Sequence, residues 1–117
     1  MHIRMFEFPK AKDVVHWDED DEQFYICGAC FNTDDFWCEG SISLYTDYKR
    51  QEQYVEARLT LGDFEIATTG PIYCKSDKEN KQDVISAYNK AVKELKALYT
   101  EWVYKNIIDG GITTPTA

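Results

Sequence analysis

Between residues 23 and 70, apolar and polar side chains alternate in four stretches: 23–31, 36–48, 53–61 and 64–70. Each is rich in β-branched or aromatic residues. A period of two puts successive side chains on opposite faces, so these stretches predict strands of an antiparallel meander. The connections test the register. Leu61-Gly62-Asp63-Phe64 places Gly-Asp at the centre of a two-residue II′ hairpin, which pairs Leu61 with Phe64 and Leu59 with Ile66. A four-residue loop at 49–52 pairs Leu44 with Ala57 and Ile42 with Leu59. A loop at 32–35 pairs Phe31 with Phe36, Ala29 with Cys38 and Tyr25 with Ile42. All three hairpins send one apolar set to one face. That set is Tyr25, Cys27, Ala29, Phe31, Cys38, Ile42, Leu44, Val55, Ala57, Leu59, Leu61, Phe64 and Ile66. A one-residue slip would scatter it.

The period then changes. Val84, Tyr88, Ala91, Val92, Leu95, Leu98, Tyr99, Trp102 and Val103 recur at helical spacing, with Lys81, Lys90, Lys93, Glu94 and Glu101 on the other side. Ser76-Asp77-Lys78-Glu79 reads as a capping box, and Gly110-Gly111 as a C-terminal stop. The helix is expected over about 77–108. Ile72-Tyr73-Cys74, after Gly70-Pro71, is a strand end or a linker. Residues 2–8 suggest a short strand closed by Pro9, and residues 9–22 a loop whose Val14, Val15 and Trp17 dock on the core. The fold class is therefore α+β: a meander of four to five strands with one long C-terminal amphipathic helix on one face. Residues 1–111 form a single domain and residues 112–117 a flexible tail.

Composition narrows this little. Hydrophobic residues at 44% exclude a disordered chain, and no apolar run is long enough to span a bilayer. The start of the chain has no signal-peptide centre, so a cytoplasmic protein with reduced cysteines is expected. Charge says more. The net charge of −8 lies entirely in residues 1–47, and Asp18, Glu19, Asp20, Asp21 and Glu22 form a run of five acids. Such a field repels nucleic acid and suits a basic partner.

Candidate chemistry is sparse. Cys27-Gly28-Ala29-Cys30 has the spacing of a zinc or redox pair. On an unbroken strand, however, Cys27 faces inward and Cys30 outward, so packing thiols are expected, with Cys30 the reactive one. Asp18, Asp20 and Glu22 alternate like the start of a calcium loop, without its glycine and distant Glu. His16 lies beside Trp17 and the acids. No nucleophile signature or phosphate loop is present, so no catalytic residue, cofactor or metal ligand is assigned.

The sheet face away from the helix carries Phe24, Ile26, Cys30, Trp37, Tyr45 and Tyr54, with Glu39, Asp47, Glu56 and Arg58 near them. Either residues 1–17 cover this face, with Phe6 and Trp17 as plugs, or it is an interface. The leading expectation is a small acidic non-enzymatic protein that occupies a basic site on another protein, in the manner of an inhibitor, an immunity protein or a DNA mimic. Its partner would be a nucleic-acid-processing enzyme or toxin. The contact set comprises Trp17, Asp18, Glu19, Asp20, Asp21, Glu22, Phe24, Asp34, Asp35, Trp37, Glu39 and Tyr45. The alternatives are a homodimer or larger assembly closing the aromatic face, and a small enzyme or ligand binder with a pocket between helix and sheet. Neither a nucleic acid nor a membrane is an expected partner.

Overall fold

Two of the alternating stretches, 36–48 and 53–61, become the two longest strands. In the computed structural model, which describes residues 7–33 and 38–108, β4 (Cys38–Asp47) and β5 (Glu52–Leu61) run antiparallel along their whole lengths. On β5 the odd positions Gln53, Val55, Ala57 and Leu59 are buried, and the even positions face the other way. β3 (Cys30–Thr33) flanks β4. β6 (Phe64–Thr68) and β7 (Ile72–Cys74) share the far edge of β5 in tandem. Between them the chain turns at Gly70, whose φ of +73 suits glycine. Thr69 spans this break: its hydroxyl accepts the Ala57 N–H, and its own N–H donates to the Ala57 carbonyl.

The long helix α2 (Lys81–Val103) packs on the buried face and extends into a π-helical turn, Tyr104–Ile108. Its inward stripe is Val84, Ala87, Tyr88, Ala91, Leu95, Tyr99 and Val103, all buried. The fold is thus α+β, with an antiparallel sheet and one long C-terminal helix on one side of it. The helix entry differs from the expected capping box. A 3-10 turn, Lys78–Asn80, comes first, the cap positions are Asp77 and Asn80, and neither makes a side-chain cap bond. The tighter turn closes instead through Asn80 N–H to the Asp77 carbonyl at 2.8 Å. The expected stop at Gly110-Gly111, the expected tail and most of the expected first strand lie outside the described residues.

Residues 9–22 are more ordered than a loop. They contain a helical turn, α1 (Ala11–Val14), and a strand, β1 (Val15–Asp18), which pairs with β2 (Gln23–Ile26) as a separate two-stranded sheet. The expected single strand over 23–31 is therefore two strands. Gly28, with φ +83, breaks it, and β2 swings off the sheet plane to pair with β1. This hairpin lies beside α2 on the same side of the sheet. Ala11, Val14, Val15 and Phe24 join the helix stripe in one core, and the Tyr88 hydroxyl donates to the Pro9 carbonyl at 2.7 Å. Residues 7–17 thus do not cover the outer face.

The first two hairpin registers differ from expectation, each by an even number. Phe31 pairs with Gly40 and Thr33 with Cys38, a shift of four from the expected Phe31–Phe36 pairing. Ile42 pairs with Ala57 and Leu44 with Val55, a shift of two. Even shifts keep every side chain on its own face, so alternation cannot distinguish them. In the second hairpin, the turn decides. Asp47 Oδ1 accepts the N–H groups of Lys49 and Arg50, and Gln51 takes a left-handed φ of 55, which sets the four-residue loop one position earlier. The Leu61–Phe64 pairing is as expected, and of Gly62 and Asp63 only the glycine has positive φ, as a II′ turn requires. A bulge at Leu59 and Thr60 then moves Leu59 from Ile66 to Ala67.

Three members of the expected core face are exposed. Tyr25 and Cys27 leave the core with β2, and Phe64 is 76% exposed at the tip of an edge hairpin. Phe24, expected outside, is 2% exposed for the same reason.

Candidate functional site

The outward positions of β4 and β5 align one row of aromatic rings across the sheet. Tyr45 pairs with Tyr54, and Tyr54 with Tyr73 of β7. Strands sit about 4.8 Å apart, so rings on facing residues meet. Tyr45 and Tyr54 stack with centroids 5.3 Å apart and an interplanar angle of 27°. Tyr54 and Tyr73 are also 5.3 Å apart, tilted by 51°. Each end carries a guanidinium: Arg50 lies 4.1 Å over Tyr73, and Arg58 lies 5.9 Å from Tyr45. The two arginines are in turn ion-paired, Arg50 with Glu52 and Arg58 with Glu65, both at 3.4 Å.

The Tyr73 hydroxyl donates to Asp47 Oδ2 at 2.9 Å. That bond favours the carboxylate and the protonated phenol together. It holds the Asp47 carboxyl below its ordinary value and the Tyr73 phenol above its own. A groove of about 410 Å³ opens here, lined by Asp47, Tyr48, Tyr54, Glu56, Pro71 and Tyr73 among others. Tyr48 is 82% exposed at its rim. No described element packs on this face.

The acidic run occupies a different layer. It forms the turn between β1 and β2, at the end of the molecule where α2 begins. Asp18 Oδ1 accepts the N–H groups of Asp20 and Asp21, so Asp18 builds the turn. Glu22 is left-handed there, with φ 51. Glu19 pairs with Lys78 Nζ at 2.8 Å, and that contact lowers its pKa. Asp20, Asp21 and Glu22 remain exposed. The expected contact set thus divides. Asp18, Glu19, Asp20, Asp21 and Glu22 lie at the hairpin tip, while Glu39 and Tyr45 lie on the outer sheet face. Trp17 is half-buried and meets the buried Phe24 edge-on at 4.8 Å, so this pair serves the core. Asp34, Asp35 and Trp37 lie outside the described residues. His16 stands against Tyr25, with ring centroids 5.3 Å apart.

Tyr73 and Arg50 were not in the expected set. The missing signal was β7 itself: three residues after a Gly-Pro pair are too short to declare a strand by alternation. Among the thiols, Cys27 departs from expectation, while Cys30 is outward and Cys38 buried as expected. Cys27 and Cys30 are both exposed. Burial raises the Cys38 thiol to about 11 and the Cys74 thiol to about 11. No helix among the described residues is long and apolar enough to cross a membrane.

The chain matches no protein-family model, no curated protein and no solved structure.

Proposed function

We propose that this is a non-enzymatic binding protein whose outer sheet face docks on a basic segment of another protein. The observation that carries the reading is the Tyr45–Tyr54–Tyr73 row, with Tyr73 exposed and its two neighbours half-buried, beside an open groove. Tyrosine and arginine are the residue types that anchor protein interfaces, and here both occur together. Charge selects the partner. On and around the face, Glu39, Asp47, Glu52, Glu56 and Glu65 outnumber Lys49, Arg50 and Arg58. The two arginines are already engaged by Glu52 and Glu65, which leaves them poorly placed to take phosphates. The net charge of −8 adds a long-range field that attracts a basic surface. The acidic hairpin contributes to that field from the neighbouring layer.

The test is capture from an extract of the native source at low salt, with wild-type protein and with Tyr54→Ala. The reading expects a basic protein, released as salt rises, whose affinity falls about 30-fold or more in the variant, the equivalent of about 2 kcal/mol for an interface anchor. An acidic partner, or unchanged capture by Tyr54→Ala, overturns it. The same row supports one competing reading, in which a second copy of the chain closes the face. Light scattering separates the two, because only the homo-oligomer reading expects a stable dimer that Tyr54→Asp dissociates.

A further inference from the structure

The cysteines of C-x-x-C acquire a new meaning at Gly28. On an unbroken strand, residues three apart point to opposite faces. Here the inward positions before the glycine are Phe24 and Ile26, with Tyr25 and Cys27 outward. After it, Ala29 and Phe31 turn inward and Cys30 outward. The phase of the alternation changes across Gly28, where φ is +83. Both thiols therefore reach solvent from one short bend. Their backbones are anchored on either side: the Cys27 N–H donates to the Val14 carbonyl at 3.0 Å, and Cys30 pairs with Ser41. Between them Gly28 has nothing within 4 Å of where a side chain would stand.

We propose that Cys27 and Cys30 form a redox-active dithiol that closes to an intramolecular disulfide by exchange with a small disulfide of the glutathione type. A disulfide needs Cα atoms roughly 4.4–6.8 Å apart, and the bend at Gly28 lies between two exposed thiols only three residues apart. Closure proceeds in two steps. The Cys30 thiolate attacks one sulfur of the small disulfide, forming a mixed disulfide and releasing one small thiol. The Cys27 thiolate then attacks the Cys30 sulfur and releases the second. Two electrons pass from the cysteine sulfurs to the small disulfide, and the two cysteine protons end on the two released thiols. The ring is very small, so it restricts the unfolded chain little and adds little stability. A bond of that kind is readily reduced, which suits a reversible switch better than a structural staple. Its location gives it something to act on, because residues 27–29 are the junction between the β1–β2 hairpin and the main sheet. Zinc binding would need further ligands, and the described residues contain no group of three or more His, Cys, Asp or Glu side chains placed for a metal.

The experiment treats the full chain, folded and reduced, with oxidised glutathione and reads intact mass and peptide maps. The expected product has lost two hydrogens, contains a Cys27–Cys30 bond within one peptide and returns to the starting mass with dithiothreitol. Thiol titration of the folded protein should drop from two fast-reacting groups to none. In Cys27→Ser, checked for an unchanged circular dichroism spectrum, the glutathione adduct on Cys30 should persist. The proposal is overturned if wild type stays reduced, if it retains the adduct on either cysteine, or if Cys27 or Cys30 bonds instead to Cys38, Cys74 or a second chain.

Discussion

Among the described residues, Gln53 is the one buried side chain of polar or charged type, 4% exposed on the core side of β5. Its carboxamide reaches across 29 positions to the backbone of Phe24, accepting the N–H at 3.3 Å and donating to the C=O at 3.0 Å. The amide thereby does what a facing strand residue would do. It satisfies the N–H and C=O of Phe24, which point away from β1, and so fastens the hairpin to the sheet. Gln53→Ala removes both bonds and leaves a buried donor and a buried acceptor unpaired. Each orphaned group costs about 1–3 kcal/mol, and partial relaxation brings the sum to about 3 kcal/mol. That is a large share of the roughly 5–15 kcal/mol that holds a domain together. In a urea titration with a slope of about 1.5 kcal/mol per molar, the midpoint should fall by about 2 M. Gln53→Glu tests the geometry separately. At neutral pH its carboxylate still accepts the Phe24 N–H but has no proton to donate to the C=O, so it should be no better than alanine. Amide exchange should quicken first within β1 and β2. A midpoint change of less than about 0.5 M for Gln53→Ala, or a stable Gln53→Glu at neutral pH, would refute the clasp.

Two further substitutions probe other contacts of the fold. Tyr73→Phe removes the hydroxyl that holds Asp47 down, so the Asp47 carboxyl should titrate higher by NMR. Because the folded pKa of Asp47 is depressed, the stability it contributes is present above its ordinary value of 3.8 and is lost as pH falls through the lower folded value. Wild type should therefore lose more stability than Tyr73→Phe between about pH 4 and about pH 2, and equal losses would exclude the bond in solution. Leu95 is fully buried at the centre of the helix stripe, so Leu95→Ala should cost about 2–5 kcal/mol by urea denaturation. A smaller cost would mean that α2 does not seat on the sheet as described.

Local chemistry made part of this protein legible in advance. The alternation along β4 and β5 is a property of the chain, and period two assigns Ile42, Val55, Ala57 and Leu59 to one face before any partner is known. The stripe from Val84 to Val103 likewise has one way to be buried. Even the II′ turn at Gly62 is local, since one glycine supplies the positive φ. The candidate site was legible only in part: Tyr45 and Tyr54 could be placed on the outer face, but Tyr73 and Arg50 join them through a three-residue strand and a turn. The rest was settled only in the folded chain. Even register shifts leave side-chain faces unchanged, and in the β4–β5 hairpin the completed Asp47 turn chose among them. Gly28 signals a break but not its consequence. Which way β2 turned depended on Val14, Val15 and Phe24 finding room beside Tyr88, and on Gln53 supplying a distant amide. The same choice buried Phe24 and exposed Tyr25 and Cys27. Alternation counts neighbours along one strand. The fate of a strand that leaves its sheet depends on contacts made dozens of residues away.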